Sequence, residues 1–126
     1  MPGLRRLLWV DCAAGALVGA TVLALSGWLA RVEGLPRGVL VFTGVVNLLY
    51  ASYSFSLARR AERPLAWIVA LVVANLAWVP VCLALAATYR AQMTTFGWLH
   101  LVGEAAFVGA LAVLEWRHRH RLTTAA

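Results

Sequence analysis

Lysine is absent from this chain, and all 11 of its basic residues are arginine. Charge of either sign is scarce: charged residues make up 13% of the 126 positions, and only 5 of them are acids. That is about half the charge share of an ordinary soluble domain. With 63% of the residues hydrophobic and a mean hydropathy of +0.81, a soluble fold could not clothe its core, so the chain belongs in a bilayer. The missing lysine, beside an excess of Ala, Leu and Val, points to a GC-rich bacterial genome. Cysteine is sparse too. Cys12 and Cys82 lie in apolar runs near opposite ends of their spans, so they sit at different depths and should stay free thiols. There is no glycine-rich phosphate loop joined to a strand, no CxxC, no HExxH and no Ser-His-Asp set outside the apolar runs. The familiar nucleotide, redox, metalloprotease and hydrolase signatures are therefore missing. No cofactor and no metal is expected, because His118 and His120 alternate with arginines, a poor setting for a cation.

What is present is apolar length. Runs long enough to cross about 30 Å of hydrocarbon at 1.5 Å per residue occur at about 7–29, 38–58, 65–88 and 96–116. They predict an all-α integral-membrane four-helix bundle in one domain, 1–126. Pro36 and Pro64 are placed to start helices, and Thr94 or Thr95 to cap one. The connections are short, so neighbouring spans run antiparallel. Signal-peptide character in the first span is set aside, since Asp11 interrupts it and its apolar run exceeds the usual ~7–15 residues.

The net charge of +6 would suggest nucleic acid in a soluble protein. Here the arginines flank apolar runs, so membrane lipid is the partner and nucleic acid is not. Arg5, Arg6, Arg59, Arg60, Arg63, Arg117, Arg119 and Arg121 fall on one side, against Arg31, Arg37 and Arg90 on the other. That bias predicts both termini in the cytoplasm of a bacterial inner membrane. Trp9, Trp28, Tyr89, Trp98 and Trp116 stand near span ends, where an interfacial aromatic belt lies.

Each of the last three spans carries one polar stripe. His100, Glu104 and Glu115 share a face of the fourth, Thr43, Asn47, Tyr50 and Ser54 a face of the second, and Asn75, Trp78 and Cys82 a face of the third. Lipid cannot hydrogen-bond these groups, so the stripes should turn inward. Counting from span ends places Asn47, Asn75 and Glu104 near the midplane, with His100, Thr43, Tyr50 and Trp78 beside them as a binding cluster. Asp11, Ser54 and Glu115 form a separate layer toward the cytoplasm. Asp11 is expected to pair with Arg59, Arg60 or Arg117, and Glu115 to be solvated or paired at the boundary. The midplane group reads either as hydrogen-bonding glue between helices or as a site where Glu104 and His100 handle a proton or a ligand.

Gly15 and Gly19 form a GxxxG spacing followed by Ala20 and Ala24, and Ala106 and Ala110 repeat the theme. They permit close helix approach, within the chain or to a second copy. "NLLY" at Asn47 and "NLAW" at Asn75 echo one another in spans of opposite direction, as an inverted pair would.

With Asp11 early in the first span, "NLAW" in the third and Glu104 in the fourth, the layout resembles small four-span bacterial inner-membrane proteins of DoxX-like kind. That resemblance implies a membrane bundle and no particular activity. Size and span number are similar to small multidrug resistance transporters, although Asp11 lies nearer the surface than the membrane acid of that family. The arginine bias also argues against dual insertion. The His100–Glu104 spacing is similar to that in emopamil-binding sterol isomerases. Two functions follow as expectations. One is a non-catalytic accessory subunit or binder of a small lipophilic ligand; the other is a proton-coupled transporter or membrane isomerase using Glu104 and His100. Four helices leave little interior room, so transport would call for a homodimer or larger membrane complex.

Overall fold

A computed structural model of the chain describes residues 4–124. Within them the chain is all helix and turn: α1 (Leu4–Ala24), α2 (Ser26–Glu33), α3 (Arg37–Ala58), α4 (Leu65–Thr88), α5 (Thr95–Arg117) and α6 (Arg119–Leu122). α1, α3, α4 and α5 are each long and apolar enough to cross a membrane. They form an antiparallel four-helix bundle. The end holding the start of α1, α6 and the α3–α4 connection is termed basal here, and the opposite end apical.

The breaks follow local chemistry. Pro36 and Pro64, both at φ −59°, immediately precede α3 and α4. Proline loses nothing near a helix start, where an N–H has no intrahelical acceptor. Thr94 accepts from the Gly97 N–H at 3.4 Å and caps α5. Gly34, at φ +71°, closes α2 in the left-handed region, where a Cβ would also collide with the Gln92 carbonyl. The first span ends earlier than its apolar run: α1 stops at Ala24, Leu25 leaves helical geometry, and Trp28 and Leu29 belong to the separate helix α2.

α1 packs along α3 and α4 along α5, while the two pairs touch each other sparingly. The α1–α3 pairing rests on glycine. A Cβ on Gly15 would lie 2.9 Å from the Asn47 carbonyl oxygen, and one on Gly19 would lie 2.8 Å from that of Gly44. The GxxxG motif is thus used within the chain, gaining close backbone contact where hydrophobic drive is absent. Ala20, Ala24, Ala106 and Ala110 face outward.

Three apolar clusters fill the bundle: a basal one around Leu8, Leu57, Ile68 and Leu122, an apical one around Val22, Leu40 and Leu101, and a middle one of Trp78, Cys82, Ala105 and Val108. Cys12 and Cys82 are free.

Arg63 is not a membrane-flanking surface charge but is 2% exposed. Its Nε donates to the Leu122 carbonyl at 2.8 Å, its Nη1 to that of Arg60 at 2.6 Å, and its backbone N–H to Thr123 at 2.7 Å. Burial, and then the nearby Arg5, push its guanidinium below the usual arginine range. Arg63→Ala should release the tail and lower stability by about 1–3 kcal/mol. Thermal unfolding in detergent, with proteolysis of the C-terminal segment, tests this; an unchanged unfolding midpoint and an uncut tail would count against it.

Candidate functional site

The polar stripes do turn inward, and they assemble into two layers with a cavity between them. In the apical layer Glu104 Oε1 accepts from Asn47 Nδ2 at 2.6 Å and from Trp78 Nε1 at 2.8 Å. His100 stands between two carboxylates, with Nδ1 2.6 Å from Glu33 Oε1 and Nε2 3.1 Å from Glu104 Oε2. The second contact has ion-pair distance but lies off the hydrogen-bonding direction, which leaves Nε2 and Oε2 without hydrogen bonds. Thr43, fully buried, spends its hydroxyl on the Leu40 carbonyl and takes no part in the layer through its side chain.

In the basal layer Asn75 donates both amide hydrogens to acids: to Asp11 Oδ2 at 3.0 Å and to Glu115 Oε1 at 2.8 Å. Ser54 donates to Asp11 Oδ1 at 3.0 Å. Asp11 is thus not held by arginine. Arg59 and Arg60 lie over the Phe55 and Trp67 rings instead, at 5.7 and 4.7 Å from their centroids, while Asp11 points at the bundle axis. Glu115 is no boundary residue either: it is fully buried.

Relative to a count of residues along the spans, Asn75 changes layers. Helical side chains lean toward their helix N-terminus. α4 starts at the basal end, so Asn75 leans down to Asp11; α3 and α5 start at the apical end, so Asn47 and Glu104 lean up and Glu115 rises to meet Asn75. Equal depth of Cα atoms thereby becomes two separate layers.

Between the layers lies a cavity of about 340 Å³. Asp11 and Asn75 form its floor, Asn47, His100 and Glu104 its roof, and Tyr50 and Trp78 part of its wall. Tyr50 donates to the Ala74 carbonyl at 2.7 Å and packs edge-on against Trp78, ring centroids 6.2 Å apart. The remaining lining is apolar and includes Leu17, Gly103 and Phe107, all exposed on the outer face. The cavity therefore opens sideways between α1 and α5, where lipid would lie. A Cβ on Gly103 would meet nothing within 4 Å. A smaller hollow of about 270 Å³ continues the seam apically past Leu17 and Val18 to Glu33 and His100. The space lies between the two helix pairs of a single copy of the chain.

Glu33, which falls between the first two apolar runs, is the residue that sequence reasoning missed. It is 5% exposed. The α4–α5 turn holds it in place, since Thr94 donates its backbone N–H to the Glu33 carbonyl at 3.0 Å and its hydroxyl to that of Val32 at 2.6 Å. The available signal was Gly34: a glycine helix stop there implies that Glu33 ends a helix rather than floats in a loop.

No group of three or more His, Cys, Asp or Glu among the described residues is arranged to hold a metal ion. Compared with protein-family models, with curated proteins and with solved structures, the chain matches none, so its function is argued from its own residues.

Proposed function

We propose that the chain is a multi-pass protein of a bacterial inner membrane, both termini cytoplasmic, that binds a small lipophile entering sideways from the bilayer. The cavity carries this reading: it is mostly apolar, opens on the lipid-facing side, and bears a few convergent polar groups that would orient a guest. Glue alone would need hydrogen bonds and tight packing, not a space of this size. Native mass spectrometry from a mild detergent should reveal a non-covalent adduct on the wild-type chain. A Cβ at Gly103 has open space around it, so Gly103→Trp can place its ring in the mouth; it should fold normally and lose the adduct. An adduct equally abundant on both proteins defeats the reading.

One observation favours a second reading, proton-coupled transport. His100 has a carboxylate within 3.1 Å of each ring nitrogen, so Glu33, His100 and Glu104 line a path from the apical connection to the cavity roof that would pass a proton once the ring turns Nε2 toward Glu104. On that reading His100→Gln leaves binding intact and abolishes pH-dependent release of the guest.

Orientation is tested by fusions. A green fluorescent protein placed at the C-terminus should fluoresce, and alkaline phosphatase there should be inactive; the reverse pattern would place the arginine-rich basal end outside.

A further inference from the structure

The charges around the cavity do not balance. Three buried carboxylates, Glu33, Asp11 and Glu115, and the half-buried Glu104 stand against one imidazole, and neither arginine nor lysine lines the space. At the roof, His100 lies between its two acids. At the floor no cationic side chain among the described residues meets Asp11 or Glu115: the donors to Asp11 are neutral, Asn75 and a Ser54 hydroxyl that is also within 2.9 Å of the Tyr50 carbonyl. Glu115 Oε2 has no hydrogen bond, and Glu115 Oε1 and Asp11 Oδ2 share one donor group, the Asn75 amide. A carboxylate held this far from water is stabilised by a cation beside it. Of the two acids Asp11 lines the cavity and Glu115 does not.

We propose that the guest is a lipophilic cation, a protonated or quaternary amine on an apolar body, with its positive end at Asp11 on the cavity floor. This rests on the cavity being a binding site. The walls suit such a guest beyond the charge: the rings of Tyr50 and Trp78 line the space, and aromatic faces attract cations most strongly where water is excluded. The lateral opening admits the apolar body without passage through water.

The test uses two probes of equal shape, benzyltrimethylammonium and neopentylbenzene, in which carbon replaces the charged nitrogen. Equilibrium dialysis against the full chain in lipid nanodiscs, with protein-free nanodiscs as blank, should show the cation bound about tenfold or more tighter than its neutral isostere. Asp11→Asn should erase that preference while leaving neopentylbenzene binding unchanged. Glu115→Gln should preserve it, because the glutamine amide can donate to Asp11 and leaves its charge in place. Wild-type protein that fails to bind the cation, or binds both probes alike, overturns the inference without any variant having to fold. An Asp11→Asn protein that keeps the preference overturns it as well. Failure of the cavity reading is seen separately, as an adduct that survives Gly103→Trp.

Discussion

Asn75→Leu should destabilise the protein by about 3–5 kcal/mol, the range for a buried charged group stripped of its partner. Asn75 is 1% exposed and gives one amide hydrogen to each of two acids. Leucine fills a similar volume and supplies no donor, so Asp11 and Glu115 would face each other in a medium that screens poorly. The repulsion predicts its own cure: Asp11→Asn in the Asn75→Leu background should restore much of the loss, a coupling visible in a double-mutant cycle. Thermal unfolding of the four proteins in one detergent measures it. Strictly additive effects would mean that the basal acids do not interact through Asn75.

Glu104→Leu should cost about 2–4 kcal/mol, because Asn47 Nδ2 and Trp78 Nε1 lose their shared acceptor and His100 loses one of its two carboxylates. Glu104→Gln should stay within about 1 kcal/mol of the natural protein. The glutamine oxygen can take over both accepted hydrogen bonds, and its amide can donate to an imidazole that keeps its Nδ1 proton for Glu33. If the roof merely fastens helices together, Glu104→Gln is silent in every assay. If it contributes to binding, Glu104→Gln folds normally and loses the guest. Equal destabilisation by Leu and Gln would show that the carboxylate charge itself, rather than its accepting oxygen, holds the apical layer.

The chain's bilayer setting, its four spans and the residues that break them are written locally. Hydrophobic length is additive along a helix, and Pro36, Pro64 and Thr94 act on the backbone beside them whatever the rest of the chain does. The inward turn of the polar stripes is equally local, since a period of 3.6 fixes which residues share a face and lipid decides which face is hidden. The grouping of Asp11 with Ser54 was legible for the same reason, both lying near the basal ends of their spans.

Only the tertiary structure decided who meets whom. Asn75 left the midplane group for Asp11 and Glu115 because side-chain lean depends on helix direction, which separates residues of equal depth in antiparallel neighbours. Glu33 became a partner of His100 because the α1 run breaks at Leu25 and the α4–α5 turn binds the end of α2. The GxxxG face could have met α3 or another copy; Gly44 and Ala51 on the facing helix settled it, by letting the backbones approach. The cavity is the clearest case, since a void belongs to no residue. It exists because glycine draws α1 onto α3 while the two helix pairs barely touch, and close contact in one place leaves space in the other.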